Sequence, residues 1–190
     1  MKKLMFAALI LIAPMFVTGA AHEERSLASF TRVEIEGYMN VILQENDQEK
    51  VEISADYGNL DKVVTEIVDG ALKVYVKNTT DESLEEFMYE NLEVVIHYKA
   101  LSGIASREFT NVIMASPLGG DFFSFSATGY GDVEIVYPLT VKHLSLKNSG
   151  NGDFNVMAPV KTQNLEINIE SKGDVFFGQN FEAQNVSINC

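Results

Sequence analysis

Apolar and polar residues alternate in short runs along most of this chain. Leu144 and Leu146 interleave with His143, Ser145 and Lys147, and Leu165 and Ile167 interleave with Asn164, Glu166 and Asn168. A period of two puts successive side chains on opposite faces, so each run predicts a strand with one face in a core. The alternation also recurs at a fixed interval. Gly131-Asp132-Val133 returns as Gly152-Asp153-Phe154 and again as Gly173-Asp174-Val175, 21 residues apart each time. Thr110-Asn111-Val112 holds the same place one interval earlier. Phe123, Leu144, Leu165 and Val186 share one column, and Ile104, Phe125, Leu146, Ile167 and Ile188 share another. Pro117, Pro138 and Pro159 form a third, with Leu118, Leu139, Val160 and Phe181 beside it.

Several columns in one register mark an array of structural repeats. The expected fold is all-β: a solenoid with 21-residue coils over residues 101–190 and a β-rich N-terminal cap over 22–100, in one continuous domain. Each strand would pair in parallel with its copy in the next coil, about 4.8 Å away. The Gly-Asp and Pro columns read as corners, through φ > 0 at Gly and fixed φ at Pro. Ile188 ends a strand in register, and no further Gly-Asp corner follows it. An unpaired strand edge invites association. The expectation is a homo-oligomer through the exposed C-terminal coil, or a natural chain that continues past Cys190.

The N-terminal part lacks the 21-residue register but is also strand-rich. Val33-Glu34-Ile35 and Val41-Ile42-Leu43 flank Gly37, and Val51-Glu52-Ile53 follows. Residues 59–68 carry two readings. Leu60, Val63, Val64 and Ile67 have helical spacing, whereas Asp69-Gly70 between Val64–Val68 and Leu72–Val76 signals a hairpin. The density of β-branched residues favours the hairpin. Residues 78–91 are acidic and read as a long loop or short helix before a strand at Leu92–Tyr98.

Residues 1–21 change the picture of compartment. Lys2 and Lys3 precede an apolar run from Leu4 to Val17, and Thr18-Gly19-Ala20-Ala21 supplies small residues for cleavage. This pattern predicts a secretory signal peptide, and the run is short for a membrane span. The mature chain would be periplasmic, or at the cell surface or outside it, with no membrane span. Its loss leaves 12 Lys and Arg against 27 Asp and Glu, a net charge near −15. Such a surface repels nucleic acid. Cys190 is the only cysteine, so neither an internal disulfide nor a cysteine metal site is available.

Catalytic chemistry has little support. His22, His97 and His143 are read as solvent-facing, and Met39, Met88, Met114 and Met157 as core fillers. Gly129-x-Gly131 lacks the third glycine and following helix of a nucleotide fingerprint. Asp132 and Glu134 are candidates for glycosidic cleavage, but the equivalents of Glu134 are Asn155 and Phe176. Stacking places Asp132, Asp153 and Asp174 in one column, making them candidates for calcium. Calcium needs six to eight oxygens, and Lys172 beside the column opposes a cation. Solvated corner aspartates holding backbone N–H groups are the favoured reading, with no cofactor and no catalytic residue.

The opening FTRVEIEGYMNVILQENDQEKVEISAD, the segment NLDKVVTEIVDGALKVYVK and the repeated Gly-Asp corners together resemble a bacterial envelope family. That family is described as "putative auto-transporter adhesin, head GIN domain", and the resemblance runs from Phe30 to the end of the chain. Its Ser-Gly-Gly-Ser-Asp-Val coil motif has variants at Ala127–Val133 and Ser149–Phe154, and is largely lost at Ser106–Val112. The resemblance implies an exported protein common in Bacteroidetes, with a right-handed β-helix-like fold and no catalytic residues to transfer. The expected function is binding or adhesion, with a glycan or an envelope or surface protein as partner. The alternatives are a polysaccharide-active β-helix enzyme and a structural module of a larger envelope complex.

Overall fold

The computed structural model describes residues 21–56, 60–77, 91–170, 172–178 and 180–190. Residues 1–20 of the expected signal peptide and 78–90 of the acidic stretch lie outside these, as does Met88. The described residues are all-β, without an α-helix. The N-terminal part holds β1 (Ala21–Ser26), β2 (Arg32–Glu45), β3 (Lys50–Ala55), β4 (Val63–Val68), β5 (Ala71–Val76) and β6 (Glu93–Tyr98). The C-terminal part holds four long strands, β7 (Gly103–Met114), β8 (Leu118–Ala127), β10 (Leu139–Asn148) and β12 (Val160–Ile169), and ends with β14 (Phe181–Asn189). Short strands β9 (Val133–Ile135), β11 (Phe154–Val156) and β13 (Val175–Phe177) lie between them.

All join one open, mixed sheet whose main path runs β1-β3-β6-β2-β7-β8-β10-β12-β14. Leu144 pairs with Phe123 on one side and Leu165 on the other, a step of 21 residues each way. Phe154 pairs with Val133 and Val175 at the same step. Long strands therefore make one parallel ladder and short strands a second. β7 belongs to both, since Ile104 pairs with Phe125 and Val112 with Val133. The inward sides of both ladders feed a single apolar cluster, in which Phe125 of one meets Phe154 of the other edge-on at 5.0 Å. Leu144, Leu146, Leu165 and Ile167 are buried in it, on the inward parity.

The corner glycines act differently from the expectation. Gly129, Gly131, Gly150, Gly152 and Gly173 are not at positive φ. They are needed because successive backbones pass too closely for a side chain. A Cβ on Gly150 would lie 2.1 Å from the Gly129 carbonyl oxygen, and one on Gly152 would lie 2.1 Å from that of Gly131. Positive φ occurs one interval earlier, where Glu108 replaces the glycine at φ 57, opposite Gly37 at φ 135. The prolines stand at corners directly before β8, β10 and β12: Leu118 and Leu139 donate their N–H groups to the carbonyls of Pro138 and Pro159.

In the N-terminal part, Val33–Ile35 and Val41–Leu43 form one continuous strand, β2, that pairs along its length with β7. Residues 60–62 make one 3-10 turn, and β4 and β5 form the hairpin over Asp69 (φ 51) and Gly70 (φ 73). Two successive positive φ values are what a two-residue primed turn demands. Arg25 holds the hairpin's entry, donating to the carbonyls of Leu60 and Val63 while its guanidinium pairs with Glu23 at 2.7 Å.

Three further readings are corrected or extended. His97 is buried, 7% exposed, because Asn46 and Glu52 cover the outer face of β6 at its position. Met39 and Met114 are core residues, but Met157 is exposed, falling between the strands on the outward side. Val186 and Ile188 of β14 are 52% and 58% exposed, although Leu165 and Ile167 in the same columns are buried. Among the described residues β14 pairs on one side only, with β12.

Leu165→Ala should cost about 2–5 kcal/mol in denaturant melts, and Gly152→Ala about 1–3 kcal/mol or more, whereas Glu166→Ala should change stability by less than about 0.5 kcal/mol. A larger loss from Glu166→Ala than from Leu165→Ala would put the register off by one. Tyr98 gives a second test. Its hydroxyl is buried without a hydrogen-bond partner, and burial, then the Glu45 carboxylate, pushes its pKa up to about 12. The folded pKa lies above the unfolded value near 10, so ionisation of this hydroxyl does not affect stability below pH 10. Stability should fall as pH rises from 10 towards 12, by a few kcal/mol at most. Tyr98→Phe should remove that part of the alkaline loss and stabilise the neutral protein by about 1 kcal/mol or more. Identical alkaline melts for the two proteins would refute it.

Candidate binding surfaces

The fixed register turns every outward position into a column across the repeats. Three of these columns gather polar or aromatic side chains. In the first, Asp132 donates its backbone N–H to Asn111 Oδ1 at 3.0 Å. Asp153 donates to Asp132 Oδ1 and Asp174 to Asp153 Oδ1, each at 2.9 Å. All three carboxylates are exposed, and those of Asp132 and Asp153 cap the backbone of the next repeat. The bonds thus run between repeats, not within one turn. Among the described residues, no group of three or more His, Cys, Asp or Glu is placed to hold a metal ion.

The second column is aromatic. Tyr38, Phe109 and Tyr130 stack with ring centroids 4.2 and 4.8 Å apart and planes within 14° and 13° of parallel. All three are exposed. Their faces largely cover one another, so solvent meets ring edges and the outer faces of the end rings. Beside them, Asn111 donates to Asn40 Oδ1 at 2.9 Å and Arg107 to Glu36 at 3.3 Å. Phe109 and Tyr130 lie one repeat apart and were legible as a pair. Tyr38 joins only through the β2–β7 pairing, 71 residues away in sequence.

The third column is Phe122, His143, Asn164 and Asn185, on β8, β10, β12 and β14. The parity of β10 shifts here: Lys142 and His143 are both exposed, between inward-facing Val141 and Leu144. A shallow groove of about 530 Å3 lies here, lined also by Ser145, Glu166 and Ser187. Asn185 Nδ2 donates to Asn164 Oδ1 at 2.8 Å, and Asn164 Nδ2 lies 3.0 Å from His143 Nδ1. A second depression of about 410 Å3, next to Tyr98 and Gly119–Asp121, lies on the other side of Phe122. Lys142 pairs with Asp121 at 2.8 Å and holds that carboxyl below its usual range. The 21-residue spacing of this column was visible in the sequence. Its polar members gave no hydrophobic signal to draw attention to it.

The remaining candidates do not converge. His97 Nε2 lies 3.1 Å from Glu52 Oε1, while Lys50, 2.7 Å from the same oxygen, lowers the Glu52 pKa. His143 is exposed, far along the sheet path from that pair, and His22 is exposed on β1. Glu134 faces outward, and its column continues through Asn155 to Phe176, so the strands repeat no carboxylate pair there.

This chain is an all-β protein. It belongs to the family described as "Putative auto-transporter adhesin, head GIN domain", which matches residues 29–190. No match was found among curated proteins. Its fold resembles that of a putative lipid binding protein from Parabacteroides distasonis (TM-score 0.72, 15% identity, covering 90% of this chain and 78% of that one). It also resembles a putative adhesin from Bacteroides fragilis (TM-score 0.72, 12% identity, 91% and 98% covered). A putative adhesin from Parabacteroides merdae gives a TM-score of 0.59 at 16% identity, with 90% and 97% covered. Among the described residues no helix is long and apolar enough to cross a membrane.

The aspartate column makes its own test. Neighbouring carboxylates about 4.8 Å apart repel by roughly 0.9 kcal/mol in water and about 3.5 kcal/mol at an effective dielectric near 20. Asn111 already supplies the same acceptor to Asp132 without charge. Replacing Asp132, Asp153 and Asp174 together by Asn should therefore keep the fold and its stability to within about 1 kcal/mol, while Asp153→Ala should lose about 0.5–1.5 kcal/mol. Calorimetric melts with calcium and with chelator check this. A melting shift of several degrees with calcium, absent from the triple variant, would reassign the column to a cation.

Proposed function

We propose that this chain is an exported, non-enzymatic binding or adhesion module of the bacterial envelope. In this reading its two parallel ladders wind as a right-handed β-helix, and its outward columns meet the ligand. One observation carries the proposal. The outward side chains are tied to their copies in neighbouring repeats, by amide, carboxylate and ring contacts, instead of converging on a reacting centre. Such an arrangement presents a broad, pre-formed surface, which favours recognition over chemistry. Family membership and adhesin-like neighbours support the same reading. The exposed apolar side of β14, with Val186 and Ile188, also supports self-association through that edge.

A glycan array run beside an activity screen on neutral and uronic-acid polymers tests the proposal, with phospholipid vesicles as a third arm because one neighbour is described as lipid binding. The expected outcome is retention of a defined glycan or surface component with no change in polymer length. Depolymerisation would refute the non-enzymatic reading, and absence of binding in every arm would refute the binding reading. Sedimentation of the same protein should show a concentration-dependent dimer that Ile188→Glu abolishes.

A further inference from the structure

We propose that the groove along β8, β10, β12 and β14 is a binding site for a neutral, linear glycan, with Phe122 as its central contact. The proposal rests on the binding-module reading and assigns that module a site and a ligand class. The chemistry of the lining is the first argument. In the ladder from Asn185 to Asn164 to His143, each amide gives one N–H to its neighbour. With His143 Nδ1 as the acceptor, its ring proton sits on Nε2. What remains for a ligand is the His143 Nε2–H, the second N–H of each amide and the Asn185 carbonyl oxygen, with the Ser145 and Ser187 hydroxyls alongside. A sugar hydroxyl both donates and accepts, and such a mixed set, with the Glu166 carboxylate as a further acceptor, matches it.

Charge excludes anionic polymers. The nearest lysine, Lys142, is neutralised by Asp121, and Glu166 adds a carboxylate that accepts from Asn168. The groove therefore has no unpaired cation in its lining, within a chain of net charge −13. Phosphates, uronates and anionic headgroups meet repulsion there. The third argument is shape. Phe122 is 52% exposed and borders both the 530 Å3 groove and the 410 Å3 depression, so a ligand crossing its ring occupies both sides. The apolar C–H face of a pyranose suits an aromatic ring, and the ladder repeats its polar groups at the strand spacing of about 4.8 Å. A chain of sugars can meet successive repeats in the same way. The Tyr38–Phe109–Tyr130 stack is a poorer platform because its ring faces cover one another.

The test uses the mature protein and calorimetric titration with neutral hexasaccharides of glucose, xylose, mannose and N-acetylglucosamine. Galacturonate hexamer and anionic vesicles are the comparison ligands. At least one neutral hexasaccharide should bind, and more tightly than its disaccharide. Phe122→Ala and His143→Ala should each weaken that binding by about tenfold or more while leaving the melting temperature unchanged, since both side chains are exposed. Tyr130→Ala should leave the affinity unchanged. Loss through Tyr130→Ala with Phe122→Ala silent would move the site to the aromatic stack and overturn this proposal, while sparing the binding-module reading. Binding only of galacturonate or vesicles would overturn the neutral-ligand assignment. Failure of every ligand, together with an empty glycan array, would bring down both.

Discussion

Close stacking of one repeat's backbone on the next at the Gly corners is the constraint on which the rest of this structure depends. The carbonyl oxygen of Gly129 lies where a Cβ of Gly150 would have to be, and Gly131 stands in the same relation to Gly152. Only a residue without a side chain lets the strands on either side of the corner keep their parallel pairing. Once that approach is made, the 21-residue step is fixed at every level. Apolar columns close into one core, and polar columns line up outside. A single extra methyl at the corner would push the ladders apart on both sides at once.

The exception shows the cost of losing the glycine. At Glu108 the chain takes a left-handed conformation that a non-glycine residue adopts at a cost of about 1–2 kcal/mol. It is held there because β2 pairs along the whole of β7, and Thr110 donates its hydroxyl to the Gly37 carbonyl in a buried hydrogen bond of 2.9 Å. The N-terminal part thus seals the first repeat, tolerating strain where the regular array begins. At the opposite edge, β14 repeats the same apolar columns with nothing over them among the described residues.

Function follows from what stacking does to outward residues. An enzyme brings unlike groups together at one point. Register-locked repeats instead spread like or related groups along a line, each supporting the next through hydrogen bonds or ring contact. Aspartate carboxylates become caps for the following N–H, amides become ladders, and aromatic rings become a stack. The result is a ribbed surface whose side chains hold one another, with little side-chain entropy left to lose on binding. The groove beside Phe122, across β8, β10, β12 and β14, makes part of that surface concave.

The sequence by itself determined the all-β class, the repeat interval, the inward parity of Leu144, Leu146, Leu165 and Ile167, and the hairpin over Asp69-Gly70. These follow from local rules: a period of two, a fixed spacing and turn chemistry, each readable within a few residues or one interval. Tertiary structure decided the rest. The glycines are required by a neighbouring backbone that the local sequence does not reveal, so reading them as positive-φ turns was natural and incorrect. His97 has the parity of a surface residue but is covered by Asn46 and Glu52 from other segments. Tyr38 joins its aromatic partners only because β2 lies against β7. Contacts between distant segments carry no periodic signal in one chain, and only the folded backbone brings them into reach.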